Sequence, residues 1–244
     1  MGRLRGDKTL KARNLQPELM DDPDLSADLH NKALAGLRRI NAMSGGAASI
    51  VSHLRRCSER VNRPLKMLDI ACGGGDTMVR VASLARRRNL RVQVDGCDIS
   101  AQALKNAEAL AQSCGVESSR FLQTDVLKSG IPDGYDLVTC TLFLHHLTSE
   151  QATDLIREMA NSCQLALHID DLKRSNRGLL LAKAGCYLLS RSPIVRHDGP
   201  QSVRAAFTLN EVDQLATRAG LRQHTLSSRW PQRWILQWTK PDPT

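Results

Sequence analysis

Hydrophobic positions in the first quarter of the chain recur every three or four residues, the period of a helix with one apolar face. The pattern predicts one helix from about Ser26 to Met43 and a second from about Ala48 to Val61. Ser44-Gly45-Gly46 interrupts the pattern between them. Neither helix has features of a separate domain, so we expect residues 1–61 to form an N-terminal helical extension, or cap, on a larger domain.

From Pro64 onward, short apolar runs alternate with amphipathic helical stretches. Such alternation is typical of an α/β protein with a parallel sheet covered by helices on both faces. The predicted strands are Leu65–Ile70, Val92–Cys97, Arg120–Gln123, Tyr135–Thr141 and Leu165–Ile169. The predicted helices between them are Asp76–Arg88, Ser100–Cys114 and Ser149–Asn161. We therefore expect one α/β domain over residues 62–244.

The alternation stops after Asp171, and residues 172–207 follow a different pattern. A helix is predicted from Asn176 to Leu189. The following stretch, with Ser192-Pro193 and His197-Asp198-Gly199-Pro200, is predicted to be a loop, since glycine and proline usually interrupt helices. We expect this insertion to cap the substrate and to close, together with the N-terminal helices, over the carboxyl ends of the strands.

The end of the chain predicts one more helix and a hairpin. Thr208-Leu209-Asn210-Glu211 has the spacing of a capping box and predicts a helix that runs to Ala219. Two strands, Gln223–Ser227 and Trp234–Thr239, are predicted around a turn at Trp230-Pro231. Together with the five earlier strands, they predict a seven-stranded, mostly parallel sheet with an antiparallel C-terminal hairpin.

Composition and charge narrow the class of partner. Hydrophobic residues make up 41% of the chain and charged residues 24%, as in ordinary globular proteins. The net charge of +9 suits a solubilising surface, or attraction to nucleic acid, anionic lipid or an acidic carrier. Aromatic residues are only 3%, too few for a base-stacking surface, so nucleic acid is not the favoured partner.

The cysteines and the apolar runs bear on location. The seven cysteines lie no closer than 15 positions apart, so they form no CxxC motif for a metal or for redox chemistry. We expect free thiols in a cytoplasmic protein and no bound metal. No signal peptide is recognised at the N-terminus. The longest apolar stretch, Leu179 to Leu189, is interrupted by Lys183 and is too short to span a bilayer. The sequence does not indicate an oligomeric state.

The segment between the first predicted strand and its helix is Asp69-Ile70-Ala71-Cys72-Gly73-Gly74-Gly75-Asp76-Thr77. Glycines let a backbone approach a ligand closely, and the N–H groups at a helix start are free to bind it. A dinucleotide-binding turn needs a third glycine where this chain has Met78. Asp69 would repel a pyrophosphate but can contact an amine or a ribose. The turn therefore favours a nucleotide ligand with an amino group and no phosphates.

Asp69-Ile70-Ala71-Cys72-Gly73-Gly74-Gly75 resembles motif I of the class I S-adenosylmethionine-dependent methyltransferases, with Ala71 where glycine is commoner. Three further segments resemble this family in order and spacing. They are Asp98 at the end of the second strand, Gln123-Thr124-Asp125-Val126, and Tyr135 to Leu147. The resemblance covers about residues 62–240. It implies a Rossmann-like fold, S-adenosyl-L-methionine as cofactor and S-adenosyl-L-homocysteine as product.

The resemblance also implies which residues bind the cofactor. Asp98 would bridge the ribose hydroxyls and Asp125 would accept a hydrogen bond from the adenine amine, although either carboxylate could instead cap a helix or a loop. The expected cofactor-binding residues are Asp69, Ala71, Cys72, Gly73, Gly75, Thr77, Asp98, Ile99, Thr124, Asp125, Val126, Thr141 and Leu142.

His145, His146 and His197 are the candidate catalytic residues, because a histidine can remove a proton near pH 7. Adjacent histidines on a helix point about 100° apart, so His145 and His146 are not expected to share a metal ion. Asp170 and Asp171, at the end of the fifth strand, could contact a substrate or cap a helix.

The predicted function is methyl transfer to a small, lipophilic acceptor, a phenol or a quinone-like ring, at oxygen or carbon. Arg196-His197-Asp198 and Glu18-Leu19-Met20-Asp21-Asp22-Pro23 resemble a bacterial subgroup near quinone and polyketide-type methyltransferases. The alternatives are a nucleic-acid methyltransferase on the same fold, a cofactor-binding protein without catalysis and, last, a dehydrogenase. No Asn-Pro-Pro-Tyr-type motif follows the fourth strand, which disfavours the nucleic-acid enzyme.

Overall fold

A single sheet of seven strands organises the molecule, seen in a computed structural model that describes residues 10–21, 25–26, 29, 32–36, 38, 45–116 and 119–241. The strands are β1 (Leu65–Ile70), β2 (Val92–Asp98), β3 (Phe121–Gln123), β4 (Leu137–Thr141), β5 (Ala166–Leu172), β6 (Thr225–Arg229) and β7 (Arg233–Thr239). Their order in the sheet is β3-β2-β1-β4-β5-β7-β6. The first five strands are parallel, and β7 runs antiparallel between β5 and β6. The predicted sheet is confirmed.

The helices cover both faces of this sheet. They are α1 (Gly46–Ser58), α2 (Asp76–Arg87), α3 (Ala101–Ser113), α4 (Val126–Ser129), α5 (Ser149–Ser162), α6 (Asn176–Leu189), α7 (Pro193–Ala205) and α8 (Leu209–Arg218). Side chains alternate along β1, so Leu65 and Met67 join a core cluster with α1, α2 and α3. Leu68 and Ile70 join a second cluster with α5 and α8.

Local sequence signals explain where several helices begin. Thr148 and Gln151 form a capping box at the start of α5, and Thr208 and Glu211 form another at the start of α8. In each box the threonine side chain accepts from a backbone N–H that the helix leaves free, and the N3 side chain accepts from the threonine N–H. The predicted start of α8 is thereby confirmed.

The N-terminal region is described only in part. Of the predicted helix from Ser26 to Met43, Leu29, residues 32–36 and Arg38 are helical, and its other residues lie outside those described as helical. The second predicted helix is α1, which starts and ends slightly earlier than expected and buries Ile50 and Leu54 completely against the sheet.

The predicted loop around Pro193 and Pro200 is wrong, because these residues form helix α7. Pro193 occupies the first turn, where a helix needs no backbone donor. A Cβ on Gly199 would collide with Cys186 Sγ, so this glycine allows α6 and α7 to pack closely. Tertiary packing therefore retains a glycine and a proline inside a helix.

Among the described residues, none of the helices has the length and apolarity to cross a bilayer.

Candidate active site

Most of the predicted site residues meet at the carboxyl edge of the parallel strands. Ile70 of β1 pairs with Cys97 of β2 and Cys140 of β4, while Thr141 pairs with Asp170 of β5. The segments that leave these strands therefore begin at the same level. Ligands of open α/β sheets bind at this edge, in the crevice between neighbouring strand ends.

The glycine-rich turn has the backbone shape that its sequence predicts. Gly73 has a φ of 54° and Gly75 a φ of 74°, both in the left-handed region. A Cβ on Gly75 would lie 2.8 Å from the Cβ of Ala107, so the turn packs directly on α3. Around Gly73, in contrast, a built Cβ meets no described atom within 4 Å. The turn is thus packed against α3 at Gly75 and leaves room at Gly73.

Met78 lies fully buried where a dinucleotide-binding helix would have its third glycine. A Cβ on Gly96 would lie 2.6 Å from the Met78 sulfur and 2.8 Å from Cys72 Sγ. Gly96 on β2 therefore provides the space for close packing of helix on strand that a glycine on the helix would otherwise provide. Burial raises the pKa of Cys72 well above its usual value, so this thiol stays neutral.

The Asp98 carboxylate is fixed at the end of β2 by two backbone donors. Gly73 N donates to one oxygen at 2.8 Å and Ser100 N donates to the other at 2.9 Å. The next side chain, Ile99, is 63% exposed. An acid held in place beside an exposed apolar side chain could bind a sugar and the flat base attached to it.

Asp69 is buried at the end of β1 and accepts a 2.7 Å hydrogen bond from Thr139 Oγ1. Burial raises its pKa to about 7, the Thr139 hydrogen bond opposes this, and the carboxylates of Asp76 and Asp98 add to the rise. Among the described residues no cation forms an ion pair with Asp69, so a cationic group of a ligand could supply its counter-charge.

The Thr124–Val126 segment follows β3 at the same edge. Thr124 N donates to the backbone oxygen of Asp98 at 3.0 Å. The Asp125 side chain caps α4 by accepting from Leu127 N at 3.1 Å, and it lies 3.1 Å from Lys128 Nζ. Hydrogen bonding to Lys128 lowers the pKa of Asp125. Asp125 therefore caps a helix in this structure, and its contact with an adenine amine stays a prediction.

Thr141 and Leu142 complete the predicted set at the end of β4. Thr141 Oγ1 is buried, and no hydrogen-bond partner for it is found among the described residues. Such an atom normally has a partner, which makes it a candidate contact for a ligand. Thr141 and Thr77 both line a cavity of about 380 Å³ between α1 and α2. A larger cleft of about 570 Å³, between Gly130 and α5, lies at the opposite edge of the sheet.

Part of the N-terminal region covers the glycine-rich turn. A Cβ on Gly74 would lie 3.6 Å from both terminal carbons of Leu34. Residues 10–21, called the N-terminal segment below, run along α7. Asp198 on α7 accepts from the backbone N–H groups of Leu19 and Met20 at 3.0 and 3.1 Å.

The N-terminal segment brings Glu18 to the histidine pair. Glu18 Oε1 lies 3.6 Å from His145 Nε2, and Glu18 Oε2 lies 4.0 Å from His146 Nε2. On its other side, His145 Nδ1 is hydrogen-bonded to Asp171 Oδ1 at 2.7 Å. These four side chains are called the histidine cluster below.

In the histidine cluster, the carboxylates stabilise the protonated form of His145, and His145 stabilises the ionised form of Glu18. Burial alone would lower the pKa of His145, but the carboxylates of Asp171 and Glu18 outweigh it and raise the pKa to about 10. Burial alone would raise the pKa of Glu18, but hydrogen bonding to His145 leaves it lowered. His145 is therefore an imidazolium near neutral pH, held between two carboxylates.

Glu18 was not among the predicted site residues. Its segment, Glu18-Leu19-Met20-Asp21-Asp22-Pro23, stood out only by resemblance, because sequence spacing could not reveal that it folds back onto residues 127 positions later. His197 differs from the other candidates, since its side chain is 58% exposed and its Nδ1 lies 2.9 Å from Asp198. In the part of the chain that the structure describes, its ring contacts Asp198 and none of the side chains of the histidine cluster.

The histidine cluster also has the composition of a metal site. One possible ligand atom each from Glu18, His145 and His146 lies within 4.8 Å of the others. However, Ser202 Oγ already donates to Glu18 Oε1, and His145 carries its own proton between two carboxylates. The cluster is satisfied without a cation, so the absence of a metal stays our prediction.

Comparisons with known proteins agree with this geometry. A family model for a methyltransferase domain matches residues 67–164. The ubiquinone biosynthesis O-methyltransferase of Photorhabdus laumondii is 25% identical over 173 residues, which cover 68% of this chain and 69% of that protein.

Two solved structures show the same fold at low identity. The plantazolicin methyltransferase BpumL, in complex with SAH, has a TM-score of 0.63 at 17% identity and covers 90% of both chains. An O-methyltransferase family 2 protein from Planctomyces limnophilus, in complex with apigenin, has a TM-score of 0.63 at 16% identity, over 91% of this chain and 63% of that chain.

Proposed function

Because the chain belongs to the class I S-adenosylmethionine-dependent methyltransferases, we propose that it methylates an oxygen of a small, lipophilic, phenol- or quinone-like acceptor. The observation that carries this proposal is the histidine cluster at the carboxyl edge, covered by the N-terminal segment. A covered site suits a small molecule better than a macromolecule. The similarity to a ubiquinone biosynthesis enzyme supports a ring of this class.

The residues at the carboxyl edge fit the cofactor. The buried carboxyl of Asp69 suits an amino group, and Asp98 with the exposed Ile99 suits a ribose that carries a base. The buried hydroxyl oxygen of Thr141 has no hydrogen-bond partner among the described residues and is a candidate contact for the cofactor, and Gly73 leaves space beside the turn. When bound, S-adenosylmethionine supplies a methyl group already activated on a sulfonium. Positioning the acceptor beside it is worth about 7–11 kcal/mol.

A phenolic oxygen must also lose its proton, and we assign this step to His146. Its ring centroid lies 4.3 Å from that of His145, and its Nε2 lies 4.0 Å from Glu18. His145 itself is unsuited to accept a proton near neutral pH because it already carries one. Asp171, Glu18 and the imidazolium of His145 sum to one negative charge, which can balance the proton that His146 gains.

His146→Ala is therefore expected to lower kcat for a phenolic acceptor about 10²-fold or more, with little change in cofactor affinity. The matched control is His224→Ala. His224 also contacts a carboxylate, Asp213, at 2.9 Å, but belongs to the segment before β6. Turnover by label transfer from S-adenosylmethionine and cofactor binding by calorimetry would be measured for both variants. Equal losses in the two variants, or an unchanged kcat in His146→Ala, would refute the assignment.

Glu18 is assigned as a positioning residue for the histidine pair. Glu18→Gln keeps its size but removes its charge, so kcat should fall and its pH profile should shift, while Glu18→Asp should recover part of the rate. A purely structural role would instead lower the melting temperature without moving the pH profile.

Acceptor identity is tested by mass spectrometry of ligands retained by the purified protein, followed by label transfer to a panel of phenols, hydroxyquinones and RNA. Transfer to a phenolic oxygen supports the proposal. Transfer only to ring carbon or to RNA contradicts it, and cofactor binding without any transfer favours a non-catalytic protein.

A further inference from the structure

Helix α6 has apolar residues on two opposite faces. One face buries Leu179 and Cys186, the latter in a small core cluster with α7. The other face points to solvent with Leu188, Leu180 and Tyr187, which are 78%, 69% and 67% exposed. Surface helices of globular proteins normally present polar residues on this side.

These exposed residues form one continuous stripe. Leu180, Ala184, Tyr187 and Leu188 follow the spacing i, i+4, i+7 and i+8, which places them on one side of a helix. Leu181, which is 37% exposed, lies beside them. We call this the α6 stripe. An apolar surface that is contiguous, rather than scattered, usually marks an interaction site.

The charged residues in α6 and just after it all have one sign. Arg177, Lys183, Arg191 and Arg196 are exposed on α6 or just beyond it. The guanidinium of Arg196 lies 4.5 Å above the Tyr187 ring. Residues 172–197, all of them described, contain no aspartate or glutamate. An apolar stripe bordered by cations is the pattern of a helix that lies in the interface of an anionic membrane.

We propose that the α6 stripe docks on the surface of an anionic lipid bilayer. Leucine and tyrosine side chains would enter the boundary between headgroups and acyl chains, and the cations would contact lipid phosphates. A second copy of this chain fits less well, because pairing two stripes would bring eight exposed cations together. The net charge of +9 further favours a negative surface.

The position of α6 links such docking to the active site. Asp171 of the histidine cluster lies near the end of β5, and α6 begins five residues after it. Docking would therefore bring the carboxyl edge of the sheet near the bilayer, where a lipophilic acceptor dissolves. The docking itself does not depend on methyl transfer, so it can be measured without cofactor and stands or falls separately from the proposed function.

The test is co-sedimentation of the full chain with vesicles of phosphatidylcholine alone or mixed with phosphatidylglycerol. We expect binding to the mixed vesicles only, weakening as salt rises. Leu188→Glu should reduce the bound fraction at limiting lipid about tenfold, since it removes one buried apolar contact and adds a like charge. Leu127→Glu is the matched control, because Leu127 is also exposed, at 42%, but belongs to α4. Circular dichroism would verify that both variants fold.

Three results would overturn the proposal. One is the absence of binding to either vesicle type. Another is an equal loss of binding in Leu188→Glu and Leu127→Glu, since the net charge alone would then explain the interaction. The third is light scattering that shows a dimer dissociated by Leu188→Glu, because the stripe would then be an interface between copies of this chain.

Discussion

At the residue scale, the charge of the Asp69 carboxyl is expected to affect the affinity for the cofactor. Its carboxyl is buried, accepts one hydrogen bond from Thr139 and has a pKa raised to about 7. The ammonium group of the cofactor would supply the missing counter-charge, so binding would favour the ionised carboxylate.

The affinity for S-adenosylhomocysteine should therefore rise about five- to tenfold between pH 6 and pH 7.5, as Asp69 ionises. Asp69→Asn should bind weakly at both pH values and lose this dependence. Calorimetric titration at each pH measures the effect, with Asp133→Asn as an exposed control. A wild-type affinity that stays flat over this range contradicts the role of Asp69.

The same carboxyl should also affect stability. An acid whose folded-state pKa is raised binds its proton more tightly when folded, so its stabilising contribution is present at pH 4 and is lost as pH rises to about 7. Asp69→Asn should consequently be more stable than the wild type at pH 8, by on the order of 2–4 kcal/mol, with a smaller difference at pH 4. Urea unfolding at both pH values tests this, and a variant less stable at pH 8 would contradict it.

The types and order of the residues allowed one part of the candidate site to be predicted from the sequence, but not the part that contains Glu18. The positions of Asp69, Asp98 and the glycines at the carboxyl edge were predictable because a tight turn between a strand and a helix constrains its own short sequence, while their contacts with a ligand stay a prediction. Glu18 was not, because its contact with His145 depends on the path of the N-terminal segment over α7.

At the element scale, Gly73 allows the backbone conformation of the glycine-rich turn and leaves space beside it for a ligand. Gly73 and Gly220 both have positive φ, 54° and 89°, and both have open space where a Cβ would lie. They differ in position: Gly73 lies in the glycine-rich turn, whereas Gly220 follows α8, far along the chain from that turn.

Alanine at either position should therefore cost about 1 kcal/mol of stability from backbone strain. Only Gly73→Ala should also weaken S-adenosylhomocysteine binding, by about tenfold or more, because the added methyl enters the ligand space. Thermal unfolding and calorimetry on the two variants separate the effects. If both variants keep wild-type affinity, the cofactor does not approach Gly73.

Helices with a strongly amphipathic pattern were predictable within one residue at each end, as α2 and α5 show. Helix α7 was not, since Gly199 and Pro200 carry local signals against a helix. Contacts of Gly199 with Cys186 and of Asp198 with the N-terminal segment outweigh those signals.

At the scale of the whole molecule, we propose that the N-terminal segment and residues 172–207 close over the cofactor and acceptor. Arg13 connects several parts of this cover, since it donates to the backbone oxygens of Ala205, His145 and Leu147 at 2.6, 3.1 and 2.9 Å. Because these contacts are polar and only partly buried, ligand binding can strengthen them as a group.

Saturating S-adenosylhomocysteine should slow trypsin cleavage after Arg13 and after Arg191 and raise the melting temperature by several degrees. Cleavage after Arg88, in the exposed turn that follows α2, should stay unchanged and serves as the internal control. Unchanged cleavage at Arg13 and Arg191, together with an unchanged melting temperature, would contradict closure.

The account as a whole rests on cofactor binding at the carboxyl edge, and calorimetric titration of S-adenosylhomocysteine into wild type and Asp98→Ala tests it most directly. We predict one site per chain in the wild type. The variant should bind about 5- to 150-fold more weakly, which corresponds to about 1–3 kcal/mol for the lost ribose contact. No binding by the wild type, or equal affinity in the two proteins, would contradict the account.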